Sequence, residues 1–181
     1  MRLTIHIFTL GLVIISLFTG CASKEALQSR ELRYLLDPNA VSSDTVITLD
    51  RVFGMAMGHQ YRLWIAGDGT VMYEGCNAVE TTGLCKSRVS RQKVILLVEA
   101  FRQSGILALG DHYDPNDCKE YRTDAAYITF SIKFSGMRKE VRHYLGCTGF
   151  QYEQSFFLLE DLIDQTADSR KWVGEPNNPR H

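Results

Sequence analysis

The sequence predicts an α+β fold: an antiparallel sheet of five or six strands with two helices packed on one face. Three observations carry that expectation. Short runs of alternating apolar and polar residues recur between Val46 and Leu145. Tight-turn signals, Gly67-Asp68-Gly69 and Ser135-Gly136, separate several of them. Two stretches with apolar residues at helical spacing each follow a strand group. Antiparallel strands with one apolar face need that face covered, and two amphipathic helices are available to cover it.

The strands begin at Val46. In Val46 to Phe53, Ile47, Leu49 and Phe53 share one parity, with Arg51 as the exception. Gly54 to His59 interrupts, and then Tyr61, Leu63 and Ile65 share a face with Arg62, Trp64 and Ala66 opposite. Gly67-Asp68-Gly69 is a hairpin turn, because glycine accepts the positive φ such turns demand. Thr70 to Gly75 returns as a third strand, and Thr82 to Arg88, weakened by Gly83, is a fourth. Ser90 caps a helix over Arg91 to Ser104, with Val94, Leu97, Val98 and Phe101 as its stripe and Gly105 at its αL terminus. Ile106 and Leu109 are expected under its end. Gly110 to Asp124 reads as a polar loop. Ile128, Phe130, Ile132 and Phe134 then alternate with Tyr127, Thr129, Ser131 and Lys133; Ser135-Gly136 turns, and Met137 to Leu145 comes back. A second helix, about Glu153 to Ala167, carries Phe156, Leu159 and Ile163, with Trp172 and Val173 sealing its end.

Ahead of this body lies an apolar run from Leu3 to Phe18 behind Arg2. As a helix it would span about 24 Å, short of the ~30 Å hydrocarbon core, which suits a secretory leader better than a transmembrane anchor. Its end, Leu17-Phe18-Thr19-Gly20-Cys21, resembles a bacterial lipobox, with Phe18 where an aliphatic residue is usual. The resemblance implies cleavage before Cys21 and lipidation of that cysteine. Several acyl chains on one residue make anchoring stable where a single one is marginal. Ala22, rather than an aspartate, implies an outer-membrane address facing the periplasm. The expected organisation is a signal peptide over 1–20, a lipidated N-terminus and tether over 21–45, one domain over 46–174 and a tail over 175–181.

Removing residues 1–20 from 181 leaves 161, enough for one domain with a real core. Arg2 leaves with the leader, so 19 Lys and Arg face 21 acids, a net charge of about −2. Along the chain the basic residues cluster only at Arg138-Lys139 and Arg170-Lys171. That is no nucleic-acid footprint.

Four cysteines besides Cys21 remain, and an even number in an exported chain argues for two disulfides. Cys76 and Cys85 are equidistant from the Glu80–Thr81 bond, so a hairpin centred there sets them face to face. The turn at Ser135-Gly136 puts Cys147 opposite Asp124, so Lys119 to Thr123 must curl back to bring Cys118 alongside. The expected pairing, one of three connectivities, is therefore Cys76–Cys85 with Cys118–Cys147.

Gly67-Asp68-Gly69-Thr70-Val71, Tyr73-Glu74-Gly75, His143-Tyr144-Leu145-Gly146-Cys147 and Lys171-Trp172-Val173-Gly174 resemble a family of exported bacterial domains of unknown function. The likeness runs over roughly Val46 to Gly174. It implies a fold and a compartment, and no activity. Members carry a cysteine pair between the first two strands, where this chain has none.

No stretch supports a reaction. His143 shares the inward parity of Val141 and Leu145, the setting of a structural histidine. His112-Tyr113-Asp114 lies in a loop, yet no serine elbow or cysteine with a placed base accompanies it. Asp111, Asp114, Asn116 and Asp117 fit no EF-hand spacing, and Pro115 interrupts them. Met55 and Met57 beside His59 are read as loop packing rather than copper(I) ligands. The expectation is a non-enzymatic envelope lipoprotein with no catalytic residue, metal or cofactor. It is held to the membrane through Cys21, contacts a protein or cell-wall partner and binds no nucleic acid. The alternatives are a periplasmic hydrolase using His112 or His143 and an inhibitor of a periplasmic enzyme.

Overall fold

The structure, a computed structural model, describes residues 41, 44–53, 58–109 and 117–174. Cys21, the leader, most of the tether, His112, Asp111, Asp114, Asn116, Met55, Met57 and the 175–181 tail lie outside them.

Six strands form one antiparallel sheet: β1 (Val46–Phe53), β2 (Gln60–Ala66), β3 (Thr70–Asn77), β4 (Gly83–Arg88), β6 (Tyr127–Phe134) and β7 (Met137–Tyr144). Their spatial order is β4-β3-β2-β1-β6-β7. The first strand is thus central, with its hairpin partner on one side and the β6–β7 hairpin on the other. Two short strands, β5 (Glu120–Tyr121) and β8 (Cys147–Thr148), pair as a second small sheet that the sequence did not suggest. Helix α1 covers Arg91–Gln103, α2 covers Glu153–Ala167, and a single turn, α3, covers Arg170–Val173.

Register shows one apolar face. Ile47 stands between Ile65 and Ile132, Leu49 between Leu63 and Phe130, and Leu63 faces Tyr73. All are buried. Phe130 meets Phe101 of α1 and Phe156 of α2 edge-on, so both helices lie on this one face, as the pattern predicts. Val94, Leu97, Val98 and Phe101 give α1 its buried stripe. The Ser90 side chain accepts from the Lys93 amide, satisfying one of the donors a helix start leaves free.

Two turns behave as expected. Gly69 sits at φ 86° with its amide bonded to Ala66. Ser135 and Gly136, at φ 49° and 75°, form a two-residue hairpin loop between Phe134 and Met137, the doubly positive geometry that matches strand twist.

One expectation is corrected. Cys76 and Cys85 are free thiols. The β3–β4 hairpin is centred on Val79, so Cys85 opposes Tyr73 rather than Cys76. Cys76 belongs to the opposite parity, and the two thiols leave the ladder on different faces. The cause is the docking of the connection: the Thr81 amide bonds to Trp172 and the Glu80 amide to Val173. Trp172 stacks on Tyr73. The short α3 turn therefore fastens this hairpin as well as ending α2.

Cys118 and Cys147 do form a disulfide. The chain curls back as expected, through Asp124 at φ 61°. The Lys119 and Arg122 amides bond to Thr148 and Gly146.

Candidate functional site

Among the inward positions of the sheet that carry polar side chains are Arg51 on β1, Tyr61 on β2 and His143 on β7. They converge on α2, where Glu160 sits in the apolar stripe of Phe156, Leu159, Ile163 and Ala167. His143 Nδ1 lies 2.7 Å from Glu160 Oε1. The Arg51 guanidinium lies 3.6 Å from Glu160 Oε2 and donates to Asp164 Oδ2 at 3.1 Å. The Tyr61 hydroxyl donates to Asp164, 2.8 Å from Oδ1, and the Ser169 hydroxyl donates to the same oxygen at 2.6 Å. A continuous polar network thus joins β7, β1, β2 and both ends of the α2–α3 link.

The network is graded in exposure. His143 and Glu160 are 1% and 2% exposed, whereas Arg51 and Asp164 are each 21% exposed. Phe150, Phe156 and Phe157 enclose the His143 ring. Its Nε2, like Arg51 Nε, is buried with no hydrogen-bond partner among the described residues. Burial, then the Asp164 carboxylate, pushes the Tyr61 hydroxyl well above its ordinary pKa. Burial opposes the charge on Arg51, but Tyr61, Asp164 and Glu160 together overcome it and hold the guanidinium more firmly protonated than usual. Such an arrangement locks α2 to the sheet. His143, which the hydrolase alternative offers as a choice beside His112, is 1% exposed and has Phe150, Phe156 and Phe157 around its ring.

The other face of the sheet is the contrasting surface. No described helix packs on it, and at its β6–β7 end Tyr121 of β5 packs on the buried Tyr144. Across it run two rows set by register: Lys86, Met72, Trp64, Thr48, Ser131 and Glu140, and beside them Leu84, Glu74, Arg62, Asp50, Thr129 and Arg142. Thr48 and Ser131 hydroxyls bond at 2.7 Å. Arg62 donates to Asp50 at 3.0 Å and to Glu74 at 3.2 Å, and those partners raise its pKa. Arg142 lies 3.9 Å over the Tyr127 ring, and Tyr127 packs on Tyr144. Leu84 and Met72 are exposed.

Among the described residues, no group of three or more His, Cys, Asp or Glu side chains is placed to hold a metal ion. No described helix is long and apolar enough to cross a membrane. An open recess lined by Glu80, Asp168, Arg170, Lys171 and Gly174 adjoins α3, with acids and bases mixed.

Sequence reasoning placed His143 inward and marked Arg51 as out of pattern. It missed Glu160 and Asp164, although a glutamate between Leu159 and Ile163 on a core-facing stripe was a visible signal. It also missed the basic character of the outer sheet face, because the residues that make it are scattered along the chain.

Fold and network together define a two-layer α+β protein with its helices on one sheet face and an internally paired ionic core. The chain belongs to the family described as Domain of unknown function (DUF6438), whose model matches residues 45–165. No curated protein matches it.

Proposed function

We propose that this protein is a lipid-anchored envelope module, held through Cys21 at the outer membrane and facing the periplasm, that works by binding rather than by catalysis. The sheet face opposite the helices is its working surface. One observation carries the reading. Among the described residues the convergent titratable groups are spent inside the fold on one another, whereas Trp64, Met72, Leu84 and several cationic side chains line the broad outer face of the sheet. Enzyme sites are concave and keep their reactive groups accessible; a broad face of mixed side chains suits recognition. The lipobox-like leader supports the address.

Two measurements test it in cells. Metabolic labelling with a fatty-acid probe marks the protein, and Cys21→Ala abolishes the label and accumulates precursor; an unlabelled wild-type protein overturns the anchor. A photo-crosslinking amino acid at Trp64 on the sheet face yields adducts, whereas one at the exposed Leu158 of α2 yields far fewer. Equal adducts at both positions, or none at Trp64, overturn the assignment of the surface.

A further inference from the structure

We infer that the sheet face opposite the helices seats the domain on the anionic surface of the bilayer that carries its lipid anchor. This rests on the lipid-anchored reading and names the partner of that surface.

The first argument is charge. Strand register brings six cations onto this face: Arg62, Lys86, Arg88, Lys133, Arg138 and Arg142. The acids on it are Asp50, Glu74 and Glu140, with Asp68 in the adjoining turn. Six against four gives +2. The described residues carry 15 bases and 15 acids, so those off this face sum to −2. This face is the more basic side of the described fold, although its cations are scattered along the chain.

The second argument is shape and side-chain type. Six strands at about 4.8 Å spacing make a face about 24 Å across. Toward its β4 edge stand Trp64, Met72 and the more exposed Leu84, with Lys86, Arg88 and Arg62 around them. Tryptophan favours the membrane–water boundary, and long basic side chains can lay their stems on apolar surface while their heads meet phosphate. Anionic lipid attracts such a face within a Debye length.

The third argument is distance. Chain from Cys21 to Thr45 can span at most about 80 Å, so an acyl-anchored domain never leaves the vicinity of its leaflet. Tethering turns a weak surface affinity into an intramolecular one with a high effective concentration. A protein of the periplasm has no such advantage.

The test uses the lipidated full-length mature protein reconstituted in vesicles. Trp64 reports the sheet face, and Trp172, stacked on Tyr73 beneath the hairpin, serves as the internal control. In vesicles containing brominated phosphatidylglycerol, tryptophan fluorescence is quenched. The quenching disappears in Trp64→Phe, in the double variant Lys86→Glu with Lys133→Glu, and in molar salt for the unaltered protein. The salt arm needs no variant, so it stands even if a substitution disturbs folding. Quenching of equal size in brominated phosphatidylcholine, or none in either, overturns the inference. The two readings fail differently: protein that does not stay with vesicles sinks the anchor, whereas retained but unquenched protein sinks only the seating. A sheet face that crosslinks to a periplasmic protein while remaining unquenched also counts against it.

Discussion

Glu160 is the side chain on which the interior polar network turns, since it meets both His143 and Arg51 while 2% exposed. Removing one member of a buried charged cluster leaves its partners desolvated and unpaired, a loss of about 3–5 kcal/mol. Glu160→Ala should therefore lower the urea midpoint severely, and Glu160→Gln, which keeps an acceptor for His143, should cost less. Equal costs would mean that volume rather than pairing matters at this position. Tyr61 makes a second residue-scale prediction. Its folded pKa lies above its unfolded value near 10, so above that pH the unfolded chain sheds a proton that the folded one keeps. Stability is thus fully present below about pH 10 and falls as pH rises beyond it. Tyr73, pushed up to about 12 by burial and then by the nearby thiols, acts the same way. Tyr61→Phe should make the alkaline decline in unfolding free energy shallower; an unchanged slope between pH 9 and 11 would remove Tyr61 from the account.

At the scale of elements, the two hairpin turns separate backbone strain from close approach. Gly136 has φ 75° with open space where a Cβ would stand, so Gly136→Ala carries only the left-handed penalty of roughly 1 kcal/mol. Gly69 has φ 86°, and its Cβ would fall 2.2 Å from the Val89 carbonyl oxygen, to which the chain is fixed by the Val89 amide bond to Gly69. Gly69→Ala should cost clearly more, read as a larger drop in melting temperature; parity between the two would refute the contact. Elements of this kind were legible beforehand. Turn chemistry and period-two alternation act over a few residues, so Gly67-Asp68-Gly69, Ser135-Gly136 and both helices could be read directly. Ser90 and Gly105 bounded α1 for the same reason. What could not be read was set by contacts distant in sequence. The register of β3 on β4 depends on Trp172 and Val173, some ninety residues away, and the ionic network depends on α2 landing over β1 and β7. Arg51 looked like an error in a strand pattern until Asp164 and Glu160 stood beside it.

For the whole molecule, the cysteines decide whether the observed topology is the one that persists in an oxidising space. Bringing Cys85 opposite Cys76 needs β4 to move three positions along β3, and an odd shift turns its inward residues outward. As an edge strand, exposed over most of its length, β4 offers little burial of its own against such a slip. The restraint comes from both ends. The Val89 amide is bonded to Gly69, and the Thr81 amide to Trp172, so a slip breaks the first and drags the second off the α3 turn. It would also separate Tyr73 from its bond to the Thr81 carbonyl. Cys118–Cys147, by contrast, joins strands already paired at Tyr121 and Cys147, and closing its loop constrains the unfolded chain by roughly 3.6 kcal/mol in the chain-entropy picture. Non-reducing peptide mapping after alkylation should therefore find Cys118 linked to Cys147 and both Cys76 and Cys85 alkylated, with the exposed Cys76 reacting faster than the half-buried Cys85 in the native state. A linked Cys76–Cys85 peptide would mean that β4 has slipped and that the α3 turn does not hold the hairpin. Trp172→Ala makes the same point from the other side: if that turn sets the register, loosening it should raise the reactivity of Cys85 while leaving the Cys118–Cys147 bridge intact.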